Sequence, residues 1–83
     1  MSLQLSSGQQ AKDIRLRFGL AVKNRRSELN ISQEVFAERA SLHRTYVSDL
    51  ERGKRNVSLE NIEKLAKALD LSLSELMKRV DAS

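Results

Sequence analysis

The chain has 83 residues, fifteen Lys and Arg against eleven Asp and Glu for a net charge of +4, 40% apolar residues, three aromatics, and neither cysteine nor proline. Those numbers exclude a disulfide scaffold and a membrane span, and they bound the chain at one small hydrophobic core in a single domain over residues 1–83. A single histidine, no glycine-rich phosphate loop and no paired carboxylates flanked by an apolar wall speak against an enzyme and against any metal or cofactor site.

The first ten residues are rich in Ser and Gln and lack a helical stripe, so they are read as frayed, with the ordered core over about residues 11–80. The first helix is expected from about Ala11 to Leu29, with Ile14, Phe18, Ala21 or Val22, Arg25 and Leu29 along its inner side. Arg25 would lie there as an aliphatic stem over the core. Asn30 follows, the best residue after glycine for a left-handed helix ending. The second helix starts at Ser32 as N-cap, and Ile31 and Phe36 form a hydrophobic staple across that start.

Only Ala40, Ser41 and Leu42 separate this helix from a third, expected from about Leu42 to Arg52, and two helices joined so tightly make a helix-turn-helix. Heptad spacing puts His43, Tyr46, Val47 and Leu50 on the inner face of the third helix, leaving Thr45, Ser48 and Arg52 outside with Arg44 and Asp49 flanking. Arg44 can donate a pair of hydrogen bonds to guanine, Thr45 can meet thymine or a phosphate, and Asp49 can accept from cytosine. The same pattern also suits an ordinary solvated face. Tyr46 is expected to place its ring in the core, with its hydroxyl open to a phosphate. The lone His43 suits capping or packing. Amides at the start of the second helix, beside Ser32 and Gln33, suit a phosphate oxygen, and Gln33 can also lock the third helix in place.

Beyond Gly53, the residues Arg52, Lys54, Arg55 and Asn56 supply three cations and an amide for a phosphate backbone. The competing account pairs Arg52 or Arg55 internally with Glu51 or Glu60; Glu51 itself is read as structural. Val57, Ser58 and Ile62 open a fourth helix with Leu59, Ile62, Leu65, Ala66 and Leu69 inward. Leu71, Ser72 and Leu76 open a fifth, where Glu75 completes a capping box. Leu73, Met77 and Val80 continue its apolar strip and are the candidate surface for a second copy, although a fifth helix must bury one side in any case.

Charge follows the same division. Residues 12–55 hold eleven Lys and Arg against six Asp and Glu, whereas residues 56–83 hold four against five. The positive field therefore sits on the part that would meet phosphates, and the C-terminal third is left for another partner.

Ser32-Gln33, the small Ala37, Ser41 in the turn, then Val47, Leu50, Glu51 and Gly53 together resemble the DNA-binding family of lambda repressor and Cro, over nearly all of residues 18–80. Within it, Arg44-Thr45-Tyr46-Val47-Ser48-Asp49, Glu51-Arg52 and Arg55-Asn56-Val57-Ser58 are similar to the controller proteins of bacterial restriction-modification systems. Many relatives have glycine where this chain has Asn30, and proline where it has Val57. The resemblance implies an all-α five-helix bundle whose third helix enters the major groove. It further implies a homodimer on a palindromic operator, repressing or activating by site occupancy, with a contact to RNA polymerase open as a further partnership; the cytoplasm, on the nucleoid, is the expected location because no cysteine, signal-like segment or lipidation motif directs the chain elsewhere. It implies no cofactor and no membrane. An antitoxin or phage-type repressor would share the fold, and a protein-interaction module that does not read DNA is the alternative from another class.

Overall fold

The computed structural model describes the backbone of residues 7–83 and the side chains from Ile14 onward. Five helices and no strand make up this part of the chain: α1 (Ser7–Glu28), α2 (Gln33–Ala40), α3 (Arg44–Glu51), α4 (Leu59–Ala68) and α5 (Leu73–Ala82). The frayed start expected for residues 1–10 lies outside the described residues as far as Ser6, and α1 takes in Ser7 to Gln10, ahead of the Ala11 where the stripe placed its beginning.

One ending serves four helices. A residue with positive φ (Asn30, Ser41, Gly53, Asp70) turns the chain. Its N–H and the next one then reach back to carbonyls three and five residues earlier, as in Asp70 to Lys67 at 3.1 Å and Leu71 to Ala66 at 2.9 Å. This is the Schellman arrangement, and it satisfies carbonyls that a helix end leaves without partners. After α1, α2 and α4 the following residue is Ile31, Leu42 or Leu71, which packs against the core. The residue after that is already the next N-cap: Ser32, His43 or Ser72. Ser32, Ser58 and Ser72 accept from the backbone N–H three residues on, each at 3.1 Å, and Glu75 returns a bond to the Ser72 N–H at 2.8 Å.

The helices enclose Phe18, Val22, Phe36, Val47, Leu50, Leu65, Leu69, Leu76 and Val80. α1 packs on α3 and α5, and α2 on α3 and α4. Gly19 permits the first of these contacts, because a Cβ there would lie inside the van der Waals envelope of the Leu50 carbonyl oxygen and 2.8 Å from that of Glu51. Arg25 lies over the core as expected and also donates from Nε to the Leu69 carbonyl at 3.0 Å, closing the end of α4. On the outside, Glu28 joins α1 to α5 through Arg79 at 2.9 Å, and hydrogen bonds from Arg79 and Arg25 hold its carboxyl down to about 2. None of the described helices is long and apolar enough to cross a membrane.

Four placements differ from the periodicity. Ile14, expected inward, is 37% exposed, at a shallow groove it shares with Met77 of α5. Leu59, expected inward, is 76% exposed, while Val57 ahead of the cap and Ile62 pack against the core. His43, expected inward, is an exposed N-cap whose side chain makes no capping bond, since α3 starts only at Arg44. Val80, a candidate for an outer surface, is fully buried among the core residues.

Gly19→Ala should test the α1–α3 contact by the sign of its effect. Helix propensity alone would add about 1 kcal/mol of stability; the collision with backbone should instead give a net loss of about 1–3 kcal/mol, read as a lower urea midpoint at unchanged slope.

Candidate nucleic-acid interface

Val47 and Leu50 fix α3 in the core with essentially no exposure, and Tyr46 is half-buried beside them. Those three positions leave Arg44 and Thr45 at the solvent side of the first turn, both exposed and without a side-chain hydrogen bond or ion pair to any described residue. An arginine and a threonine in that state keep their full donor and acceptor capacity for an external partner.

The far end of α3 is held by Glu51. Its carboxylate, with a side chain only 3% exposed, accepts from Arg26 Nε at 2.7 Å and Arg26 Nη2 at 3.0 Å, and from Gln33 Nε2 at 3.0 Å. Arg26 also donates from Nη1 to the Ile31 carbonyl at 2.9 Å. The hydrogen bond to Glu51 raises the Arg26 pKa, against the opposing effect of burial. One carboxylate thereby ties α1, the start of α2 and the end of α3 at a fixed mutual angle. Gln33 does lock the third helix, and Glu51 is structural, as read from the chain. Arg26 was not singled out by the sequence reading. Its only signal was that a buried glutamate needs a cation, and the sequence does not say which one.

Asp49 forms a second, exposed centre. Its Oδ1 accepts from Arg52 Nη2 at 2.7 Å, and its Oδ2 from Arg55 Nη2 at 3.0 Å and Nε at 3.2 Å. Arg52 also donates to Ser48 Oγ at 2.8 Å, and the Arg55 guanidinium lies 5.0 Å from the Tyr46 ring centre. The Tyr46 hydroxyl in turn accepts from Asn61 Nδ2 at 3.2 Å. Two expectations are corrected here. Arg52 and Arg55 do pair internally, but with Asp49 rather than Glu51 or Glu60, because Glu51 is occupied underneath and Asp49 stands one turn of helix from Arg52. The Asp49 carboxylate is accordingly engaged within the protomer and is not a free acceptor for a base.

Lys54 and Asn56 are exposed on the connection to α4 with no partner among the described residues. Ser32 uses its hydroxyl on the Val35 N–H, leaving the amides of the first turn of α2 without intrahelical partners. The arrangement is thus an anchored short helix with two side chains that have no partner among the described residues, two tethered arginines beside it, and the start of α2 eleven residues before Arg44.

A family model described as helix-turn-helix matches residues 22–76, from within α1 to within α5. The chain belongs to the helix-turn-helix family. It is 54% identical over 66 residues to the control protein C.BamHI of Bacillus amyloliquefaciens, covering 78% of this chain and 82% of that one. Among solved structures it is similar to the restriction-modification controller protein C.AhdI from Aeromonas hydrophila, with a TM-score of 0.73 and 47% identity over 75% of this chain and 94% of the other. It is also similar to the restriction-modification controller protein C.Esp1396I, with a TM-score of 0.78 and 28% identity over 83% and 88%.

Glu51→Ala should cost about 3 kcal/mol, since it leaves a largely buried guanidinium uncompensated. Arg26→Ala should cost a similar amount, and the double variant much less than the two together, measured as a double-mutant cycle in denaturant.

Proposed function

We propose that the protein is a sequence-specific, double-stranded-DNA-binding transcriptional regulator of the restriction-modification controller kind, acting as a homodimer on a symmetric operator. The observation that carries this reading is the exposed Arg44-Thr45 pair, unpaired among the described residues, on a helix anchored from beneath by Val47, Leu50 and Glu51. Base readout needs side chains delivered rigidly into the major groove with their hydrogen-bonding groups unspent. The similarity to C.AhdI and C.BamHI supports the same reading. So do solved variants of C.Esp1396I in which an arginine, a threonine and a tyrosine at three consecutive positions were substituted, the same order as Arg44-Thr45-Tyr46.

In this reading Arg44 and Thr45 read bases. Lys54, Asn56 and the outer N–H groups of Arg52 and Arg55 hold the phosphate backbone, and the amides at Ser32 and Gln33 take a phosphate across the groove. Ser48 and Tyr46 serve by orienting arginines, and His43 stands exposed at the same helix start. A single such unit contacts few base pairs, so tight specific binding asks for two copies facing half-sites about one DNA turn apart. The surface for the second copy is Leu73 and Met77 on α5, 40% and 38% exposed, without the buried Val80. Met77 also borders a shallow, mainly apolar groove of about 140 Å³ that runs past Ile14 and Phe18 on α1 to Arg55 and Asn56, so the surface for the second copy lies next to the phosphate-holding loop. Coupling of dimerisation to operator occupancy would make concentration the switch, with no cofactor. Beside a promoter, RNA polymerase becomes a second protein partner, and the place of action is the cytoplasm, on the nucleoid.

Arg44→Ala should weaken binding by about 1–3 kcal/mol and relax preference at one base pair, while Lys54→Ala should weaken binding to every sequence and flatten the salt dependence by about one unit. Titrations of a duplex selected from a random pool, against an unrelated duplex over a range of salt, separate the two; equal loss on both duplexes for Arg44→Ala would overturn its base-reading role. Met77→Glu should give monomers in sedimentation with the helical circular dichroism retained, and persistent dimers would place the interface elsewhere.

A further inference from the structure

Asp49 is the one acidic side chain on the outer part of α3, and nothing in its position serves the core. Both of its oxygens are engaged by guanidinium groups, one from Arg52 and one from Arg55. Each arginine is also gripped from a second direction, Arg52 by Ser48 Oγ and Arg55 by the face of Tyr46, whose hydroxyl is held by Asn61 on α4. Two of the five N–H donors on each guanidinium are used in this way, so about three remain on side chains that are 55% and 44% exposed. Both arginines are largely exposed, and ion pairs so placed add little to stability, so the folding role of the Asp49 pairs is small.

We infer that Asp49 is a positioning residue for DNA discrimination: it holds Arg52 and Arg55 at set places beside α3, so that they grip only a backbone whose phosphates arrive at matching places. The inference rests on the DNA-binding reading and deepens it. Two effects act together. Untethered, two long arginines could follow any phosphate, and their attraction to a duplex is sequence-independent. Tethered, they lose less freedom on meeting a correctly placed phosphate and cannot follow a misplaced one, so the backbone shape that a sequence prefers enters the affinity. The carboxylate also reduces the local charge from two units to one, which weakens attraction to unrelated duplexes.

The test uses the full chain, a duplex selected by that chain from a random pool, and a scrambled duplex of the same composition. Asp49→Asn keeps the shape and removes the charge; it should raise affinity for the scrambled duplex and lower the ratio of selected to scrambled affinity about tenfold, the scale of two ordered side chains set free. Arg55→Lys keeps its charge but loses both the two-pronged contact and the stacking on Tyr46. It should lower the same ratio, and the double variant should lower it no further. Arg55→Lys also carries the test should Asp49→Asn fail to fold. In the free protein, the ring-current shift of the Arg55 side-chain resonances should collapse in Asp49→Asn. An equal change on both duplexes, a change of preference at one base pair only, or additive losses in the double variant would each overturn the inference. If the unaltered chain shows no preference between the duplexes, the DNA-binding reading itself falls; if it does and the ratio stays unmoved in the variants, only the role of Asp49 falls.

Discussion

The Glu51 carboxylate, buried beneath the end of α3 and bonded to Arg26 and Gln33, is the contact on which the placement of α3 depends. A helix of eight residues is too short to hold its own conformation in water, so its orientation must come from tertiary contacts. Apolar packing by Val47 and Leu50 supplies most of the stabilisation but is tolerant of sliding and rolling. A two-pronged arginine–carboxylate pair has a fixed plane and direction. Gln33 ties the first residue of α2 to the same carboxylate, so the two helices of the helix-turn-helix share one reference point on α1. Gly19 lets α1 come close enough for that geometry to exist.

The two acidic residues of α3 that engage arginines occupy opposite environments, and this separates their roles. Glu51 is enclosed, and its loss would strand a guanidinium away from water. Asp49 is partly covered by its two exposed arginines, and their pairs contribute little to folding but set where two cations stand. Two carboxylates two residues apart thus hold different things, Glu51 the packing of α3 on α1 and α2, and Asp49 the two arginines beside it. The α3–α4 connection joins the two regions, since Arg55 is held by Asp49 while Asn61, the partner of the Tyr46 hydroxyl, belongs to α4.

Much of the architecture was legible because it is local. Ser32, Ser58 and Ser72 announce helix starts, with Ile31, Val57 and Leu71 before them and Phe36, Ile62 and Leu76 after, and capping chemistry acts within five or six residues. Asn30 was readable as a left-handed ending; Ser41 and Asp70, which do the same, carry a weaker propensity signal and emerge only once the hydrogen bonds are seen. Periodicity placed three side chains inward that the fold leaves exposed: Ile14 and Leu59 lie on the expected stripes of their helices, and His43 lies one residue outside the helix it was assigned to.

The sequence by itself determined five helices, the serine caps of three of them, the basic character of the first two-thirds of the chain, and the exposed Arg44 and Thr45, because each follows from periodicity or from neighbours along the chain. Only the tertiary structure decided which cation meets Glu51, which acid tethers Arg52 and Arg55, and that Val80 belongs to the core while Met77 does not. Ion-pair choice depends on the distance and direction of several competing charges, and burial at a helix end depends on the length of the helix packed against it. Neither quantity exists until the chain has folded.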